Sequence, residues 1–138
     1  MKRVLFICTH NSARSQMAEG LVNHDLAGKV RAFSAGTEPS SIHPLAIRVM
    51  EELGIDISRQ RSKGLEEFSA EKFDYVITLC SQADETCPVF FGGTQKFHIG
   101  FPDPASASGS EEDRLASFRK VRDQIREQVV EFFTKPGE

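Results

Sequence analysis

The chain has 138 residues, of which 39% are hydrophobic and 27% charged, and its formal net charge is −3 at pH 7. These values are typical of one compact domain with a core of its own. No apolar run approaches the roughly 20 residues that cross a bilayer, and the N-terminal run lacks the cleavage site of a signal peptide. We therefore expect a cytoplasmic protein, monomeric for its size and charge, that binds neither nucleic acid nor a membrane.

Short apolar runs alternate with helical patterns along the chain. The predicted elements, in chain order, are a strand at 3–8, a helix at 14–28, a strand at 30–36, a helix from Pro44 to about Gly54, a strand at 73–80, a weaker strand at 96–100 and a long helix at 110–133. This alternation predicts a single α/β domain over residues 1–138 with a mainly parallel sheet. In such sheets, ligands bind beyond the carboxyl ends of the strands.

The first predicted strand ends in a cysteine, and a loop of small and polar residues joins it to the first helix. The stretch "CTHNSARS" follows the pattern C-x5-R-S, with Cys8, Arg14 and Ser15 at the fixed positions. Five intervening residues can curl so that backbone N–H groups converge on one oxyanion, at the positive end of the following helix. Arg14 can bind two oxygens of a tetrahedral anion, and the same positive field favours the thiolate of Cys8. The pattern therefore predicts a nucleophilic cysteine beneath a bound oxyanion.

The residues expected to bind the anion are those of the loop itself. They are Thr9, His10, Asn11, Ser12, Ala13, Arg14 and Ser15. Within this set, Ser15 can donate a hydrogen bond to the thiolate, and Asn11 tolerates the left-handed backbone angles that a tight loop needs. The alternative interpretation is a buried cysteine at a strand end beside a surface arginine, which the strand–loop–helix context disfavours.

The chain has three cysteines, Cys8, Cys80 and Cys87. An odd number in a chain expected to be cytoplasmic argues against a framework of structural disulfides. Core filling is the usual role of a free cysteine, and it is plausible for Cys80 or Cys87 taken alone. Core filling explains the three together poorly, since two predicted strands each end in a cysteine.

Several further stretches extend the similarity of the loop to a known family. With "CTHNSARS", the stretches "SAGT" (34–37), "IHPLAIRVMEELGIDIS" (42–58) and "FPDPA" (101–105) resemble the low-molecular-weight tyrosine phosphatase fold. The stretch "VITLCSQADETCP" (76–88) makes the chain similar to the thioredoxin-coupled arsenate reductases built on that fold. The resemblance covers nearly the whole chain in collinear order. It implies a four-stranded parallel sheet in the order 2-1-3-4 with helices on both faces.

The resemblance also implies reduction of arsenate to arsenite by a relay of the three cysteines. Cys8 would attack arsenic, Cys80 would attack the Cys8 sulfur as arsenite leaves, and Cys87 would move the disulfide outward to thioredoxin. Two thiols that become a disulfide supply the two electrons that the reduction needs. In the implied strand order, Cys8 and Cys80 end neighbouring strands and lie within reach of a disulfide. Phosphate and sulfate are expected as competing oxyanions, and no cofactor is expected.

A disulfide between Cys80 and Cys87 would require the intervening chain to rearrange. Seven residues of continuous helix separate two positions by about 10 Å, which is too far for a bridge. Pro88, Gly92 and Gly93 weaken regular structure in this stretch. We therefore expect residues 81–93 to be ordered when the cysteines are reduced and looped out when they are oxidised.

Asp103 lies in "GFPDPA", before the last predicted helix. The resemblance implies that this carboxyl is the general acid and base, which protonates the leaving oxygen while Cys8 attacks. The alternative for Asp103 is a structural one, because an Asp-Pro pair is a common turn device.

Two other functions compete with arsenate reduction. A low-molecular-weight protein tyrosine phosphatase shares the loop, Arg14 and Asp103, but such phosphatases usually carry aromatic residues after the Asp-Pro, and "DPASASGS" has none. Weak phosphatase activity is still expected, because the loop cannot exclude phosphate. The third candidate is a non-enzymatic oxyanion-binding or redox-sensing module, against which Asp103 and the full cysteine set argue.

Some reductases of this type hold a potassium ion near the loop. The matching positions here are Asn11, Glu19 and Ser34, and the expected acidic ligand falls at or near Lys63. A lysine would repel potassium and could replace its charge. We therefore predict no bound metal and no potassium requirement. The four histidines also lack the spacing of metal ligands.

Overall fold

Four parallel strands form one sheet, whose spatial order is β2-β1-β3-β4. The strands are β1 (Lys2–Cys8), β2 (Val30–Gly36), β3 (Phe73–Thr78) and β4 (Gly93–His98). In β1, register pairs run from Lys2 with Val30 to Cys8 with Gly36 on one side, and from Val4 with Tyr75 to Ile7 with Thr78 on the other. The predicted order 2-1-3-4 is confirmed, and β1 lies at the centre of the sheet.

The structure is a computed structural model that describes residues 1–80 and 93–134. Its helices are α1 (Arg14–Asp25), α2 (Pro44–Glu51), α3 (Glu111–Ile125) and α4 (Glu131–Thr134), with 3-10 helices at Leu65–Phe68 and Pro104–Ser106 and a π-helical turn at Arg126–Val130. In the ranges described, no helix has the length and apolarity to span a bilayer. Cys87 and most of the stretch for which we expected a redox rearrangement lie outside the described residues.

Local side-chain chemistry sets the ends of the helices. The His43 ring accepts a hydrogen bond from the Leu45 N–H ahead of Pro44, and Ser110 forms a reciprocal capping box with Asp113. The predicted helix at 14–28 stops at Asp25, because the chain turns through Gly28, whose φ is +84°. The predicted long helix at 110–133 is interrupted by the π-helical turn, so helix α3 is shorter than the apolar pattern suggested.

Alternate residues of β1 face opposite sides of the sheet. Val4 and Phe6 join the larger core, which includes buried residues of α1, α2 and α3, while Leu5 and Ile7 pack into a smaller core with Phe68. Helical segments therefore lie on both faces: α-helices on one and, among the described residues, the 3-10 helix Leu65–Phe68 on the other. The functional candidates converge at the carboxyl ends of the strands.

Candidate active site

Cys8, the last residue of β1, lies at the floor of a cavity at the carboxyl end of the sheet. Its side chain is buried, and its Sγ lies 2.9 Å from the Ser15 Oγ. The Asn11 Nδ2 donates to the same hydroxyl oxygen over 2.8 Å. Because Asn11 supplies that donor, the hydrogen of the Ser15 hydroxyl is available to the Cys8 sulfur. The predicted Ser15–Cys8 contact is confirmed.

Asn11 has a φ of 49°, the left-handed conformation expected from the sequence. Its Oδ1 accepts hydrogen bonds from the Lys63 backbone N–H at 2.7 Å and from the Gln16 Nε2 at 2.9 Å. Together with its bond to Ser15, this buried amide fixes the curl of the loop. Asn11 therefore holds the loop conformation from the side away from the cavity, which is the role predicted for it from the sequence.

The carbonyl oxygens of the loop accept hydrogen bonds from the surrounding chain. Four successive acceptors have identified donors: Thr9 O from the Glu38 N–H, His10 O from the Ser62 hydroxyl, Asn11 O from the Gln16 side chain, and Ser12 O from the His43 N–H. A trans peptide directs its N–H opposite to its C=O. This pattern therefore favours loop N–H groups turned toward the cavity, as an anion site requires.

Gly36, at the end of β2, allows this loop to pack closely against the sheet. A Cβ at this position would lie 2.5 Å from the Thr9 carbonyl oxygen and 2.7 Å from the Cys8 carbonyl oxygen. Both obstacles are backbone atoms, so no side-chain adjustment could make room for a larger residue. Sequence reasoning treated Gly36 only as a strand end and missed this role in seating the loop.

Arg14 opens α1 with its side chain 3% exposed. Its Nη1 donates to the Phe101 carbonyl oxygen over 3.2 Å, and its Nη2 lies 3.8 Å from the Asp103 Oδ2. The Asp103 side chain is 32% exposed, and its Oδ1 accepts a hydrogen bond from the Ala105 N–H at 3.0 Å. Asp103 thus caps a turn and faces Arg14 at once, so its two candidate roles are compatible with each other.

The cavity has a volume of about 310 Å³. Its lining among the described residues consists of Cys8, His10, Ser12, Ala13, Arg14, Ser40, Asp103 and Ala105. The structure thus gathers the nucleophile, the arginine and the carboxyl that sequence reasoning selected. Ser40 was missed, because it lies in a polar loop without a motif. None of these described lining residues is phenylalanine or tyrosine.

Cys80 lies two residues beyond β3, and its side chain is fully buried. The Leu79 N–H donates to the Ile7 carbonyl oxygen at 2.8 Å, which continues the pairing of β3 with β1 past Thr78. Cys8 and Cys80 therefore leave the same end of two adjacent strands, as predicted. No disulfide joins Cys8 to Cys80 in this structure. The predicted strand at 73–80 is two residues too long, since β3 ends at Thr78.

A buried ion pair lies on the side of the loop away from the cavity. The Lys63 Nζ is 3.7 Å from the Glu19 Oε1, and the Ser34 Oγ donates to that same oxygen over 2.6 Å. The positions matched to a potassium site are therefore close together, with the Lys63 ammonium among them. Across the two described ranges, no cluster of three or more metal-ligating His, Cys, Asp or Glu side chains occurs. Independence from potassium remains a prediction.

A thiol, an arginine and a carboxyl line one small cavity, and these are the groups that cysteine-based chemistry on tetrahedral oxyanions uses. Residues 3–136 match the family described as low molecular weight phosphotyrosine protein phosphatase, and the chain belongs to that family. It is 42% identical over 131 residues to an arsenate reductase of Halalkalibacterium halodurans, covering 95% of this chain and 94% of that one.

Two solved structures extend the comparison. One is described as an arsenate reductase in the phosphate binding state; it has a TM-score of 0.82 and 41% identity, covering 96% of this chain and 97% of that one. The other is a thioredoxin-dependent arsenate reductase of Corynebacterium glutamicum, with a TM-score of 0.68 and 30% identity, covering 96% of this chain and 62% of that one. The fold predicted from the sequence is thus confirmed.

Proposed function

We propose that this protein reduces arsenate to arsenite with electrons from its own cysteines, and that thioredoxin restores the thiols. The observation that carries the proposal is the pair of buried cysteines, Cys8 and Cys80, at the same end of adjacent strands, with Cys8 lining the cavity. Hydrolysis of a phosphate ester requires only the first thiol, whereas reduction requires two. The relatives that are named arsenate reductases support the same choice.

The first step takes place in the cavity. Arsenate binds to the loop N–H groups and Arg14, and the Cys8 thiolate attacks arsenic to form a sulfur–arsenic bond. An arsenate oxygen leaves as water, for which Asp103 supplies the proton. Arg14 stabilises the charge on the remaining oxygens. The arsenic stays in the +5 state through this step, because its oxygen has been exchanged for a thiolate ligand without electron transfer.

The second step transfers the electrons. The Cys80 thiolate attacks the Cys8 sulfur, a disulfide forms between these two residues, and the sulfur–arsenic bond breaks. Its electron pair remains with arsenic, which leaves as arsenite in the +3 state. Two thiolates have been oxidised by two electrons, so the step balances without a metal or an organic cofactor.

The third step frees Cys8 for another cycle. Cys87 attacks the Cys80 sulfur, releases the Cys8 thiolate and leaves a Cys80–Cys87 disulfide for thioredoxin to reduce. Cys87 lies outside the described residues, so its part in the relay rests on the sequence resemblance. The thioredoxin-dependent relative supports the choice of reductant.

A coupled assay tests the proposal. The purified chain is mixed with arsenate, thioredoxin, thioredoxin reductase and NADPH, and NADPH oxidation is followed together with arsenite formation. Equal amounts of the two are expected over many turnovers. Omission of thioredoxin should leave a single stoichiometric turnover at most. The absence of any arsenite, even at one equivalent of enzyme, would reject arsenate reduction.

The second candidate is protein tyrosine phosphatase activity, which the family match and the Cys8–Arg14–Asp103 set favour. The stretch that begins at Asp103 argues for a secondary role, because "DPASASGS" has no aromatic side chain to hold a phosphotyrosine ring. Slow hydrolysis of a small aryl phosphate is expected, with little preference for phosphotyrosine peptides. A phosphopeptide turnover far above that of a small aryl phosphate would make phosphatase the principal function.

A further inference from the structure

The ion pair between Glu19 and Lys63 is partly buried. The Lys63 side chain is 10% exposed and that of Glu19 is 15% exposed. Burial raises the pKa of the Glu19 carboxyl, which the Ser34 hydroxyl and the Lys63 ammonium only partly offset. Burial likewise lowers the pKa of Lys63 despite the nearby carboxylate. Removing two charges from water costs free energy that their mutual attraction offsets only in part, so we expect little net stability from the pair.

The backbone around Lys63 touches the rear of the anion loop at several points. The Lys63 N–H donates to the Asn11 Oδ1 at 2.7 Å, and the Lys63 carbonyl oxygen accepts from the Gly36 N–H at 2.9 Å. The neighbouring Ser62 hydroxyl donates to the His10 carbonyl oxygen over 3.0 Å. Residues 61–63, which we call the rear segment, therefore hydrogen-bond to the loop from behind and hold its conformation.

The Lys63 side chain ties this rear segment to the helix that begins at the loop. Its Nζ donates to the Arg61 carbonyl oxygen at 2.7 Å and reaches Glu19 on α1. Glu19 follows Ser15 by one helical turn, so the two side chains lie on the same face of α1. A continuous series of contacts thus runs from the ammonium through the Lys63 backbone and Asn11 to the Ser15 hydroxyl and the Cys8 sulfur.

We infer that Lys63 is a positioning residue: its ammonium, held by Glu19, fixes the rear segment so that Asn11 keeps the Ser15 hydroxyl directed at the Cys8 sulfur. The inference deepens the proposed function, on which its kinetic test rests, but its spectroscopic test needs no arsenate. In this chain the charge pair serves to fix geometry, because its ammonium joins the rear segment to α1. Loss of the ammonium should therefore lower the fraction of Cys8 present as thiolate.

The experiment compares Lys63→Met, Glu19→Gln and the double variant with the wild-type chain. Lys63→Met leaves the Glu19 carboxyl buried without its ammonium, so its thermal unfolding midpoint should fall. The double variant removes both charges and should recover most of that midpoint. The contact between Ser15 and Cys8 should be disturbed in Lys63→Met and in the double variant alike, because both lack the Lys63 ammonium that joins the rear segment to α1. Stability and loop function are thereby separated.

The decisive readout is the ultraviolet absorbance of the Cys8 thiolate, titrated without substrate in a background that carries Cys80→Ser and Cys87→Ser. A reduced thiolate fraction at neutral pH is expected in Lys63→Met and in the double variant, and Lys63→Arg should restore part of it. In the chain with all its cysteines, kcat/KM for arsenate should fall by about 10- to 100-fold in both variants. The exposed Lys29→Met variant, which has the same change in net charge, should match the wild type.

The inference would be overturned if the double variant recovered the thiolate fraction and kcat/KM along with its stability. Lys63 would then serve only to neutralise Glu19. A chain that reduces no arsenate but shows the expected loss of thiolate would retain the inference and refute the proposed function. The two failures are therefore distinguishable in one set of variants.

Discussion

The two sides of the anion loop are held in different ways. On the cavity side, Arg14 and Asp103 face each other across 3.8 Å, and the Asp103 side chain is one-third exposed. On the rear side, Asn11 makes buried hydrogen bonds of 2.7–2.9 Å to Lys63, Ser15 and Gln16. The rear is held by these hydrogen bonds, whereas the other side faces the cavity of about 310 Å³. Variants on the cavity side should therefore affect chemistry, and variants at the rear should affect stability as well.

The largest effect is expected from the cysteines, and it separates two activities within one chain. Cys8→Ser should abolish both arsenate reduction and aryl phosphate hydrolysis, because both need the nucleophile. Cys80→Ser should abolish multiple-turnover arsenate reduction and keep the phosphate hydrolysis, which requires only Cys8, Arg14 and Asp103. The measurement is arsenite formation with thioredoxin beside release of the aryl alcohol. Equal loss of both activities in Cys80→Ser would show that this cysteine is structural.

Substitutions of Asp103 distinguish its possible role in proton transfer from its role in forming a turn. Asp103→Ala should lower turnover by about 10²–10⁴-fold, the usual effect of losing a positioned acid. Asp103→Asn is the matched control, since its amide oxygen can still accept the Ala105 hydrogen bond but cannot transfer the proton. Similar rates in both variants would assign the effect to proton transfer. Full activity in Asp103→Asn would leave Asp103 with its turn-forming role alone.

The part of the site that sequence reasoning found is the part that is local in the chain. Cys8, Asn11 and Ser15 lie within eight consecutive residues, so their spacing already restricts how they can meet. The strand order and the placement of Asp103 followed from resemblance over the whole chain. The elements themselves were readable because their apolar periodicity is strong, as in β1 and α3.

The rest of the site depends on contacts between distant parts of the chain. Gly36 is needed because its α-carbon lies against the Thr9 and Cys8 carbonyls. No sequence pattern indicates that these backbone segments lie so close together. The Lys63 N–H reaches Asn11 across 52 positions, from a segment with no regular structure. The π-helical turn at Arg126–Val130 was also missed, because an apolar pattern spaced for an α-helix continues through it. Such features arise from packing, which periodicity does not record.

Substitution of Asn11, at the rear of the loop, should have a moderate effect on the free energy of unfolding. Asn11→Ala removes several hydrogen bonds and leaves at a φ of 49° an alanine, which lacks the polar side chain by which asparagine tolerates this angle. We expect a loss of about 1–3 kcal/mol in the free energy of unfolding, with a further cost of about 1 kcal/mol from the backbone. Asn11→Gly keeps the conformation and loses only the bonds. The two variants, compared by urea unfolding, should differ by the backbone cost; equal stabilities would show that the left-handed angle carries no strain.

The smallest effect is a pH dependence at the start of α2, beside the cavity side of the loop. Burial and then the Arg114 guanidinium lower the pKa of His43 below its ordinary value of 6.5, and the Asp103 carboxylate opposes them. The folded chain thus binds the proton less readily than the unfolded chain does. The free energy of unfolding is therefore unaffected by His43 above pH 6.5 and falls as the pH drops below 6.5, because the unfolded chain takes up the proton first.

His43→Asn provides the comparison, because asparagine can accept the Leu45 N–H at the N-cap but does not titrate. The free energy of unfolding of the wild type, minus that of the variant, should be constant above about pH 7 and fall steadily toward about pH 5. Urea unfolding at a series of pH values measures this difference, in which the contributions of the other titrating groups cancel. The His43 N–H also donates to the Ser12 carbonyl oxygen, and that bond survives in the variant because it belongs to the backbone. Arsenate turnover at neutral pH should therefore be nearly unchanged. A difference that stays flat across the range would mean that the ring takes up its proton as readily in the folded chain as in the unfolded one.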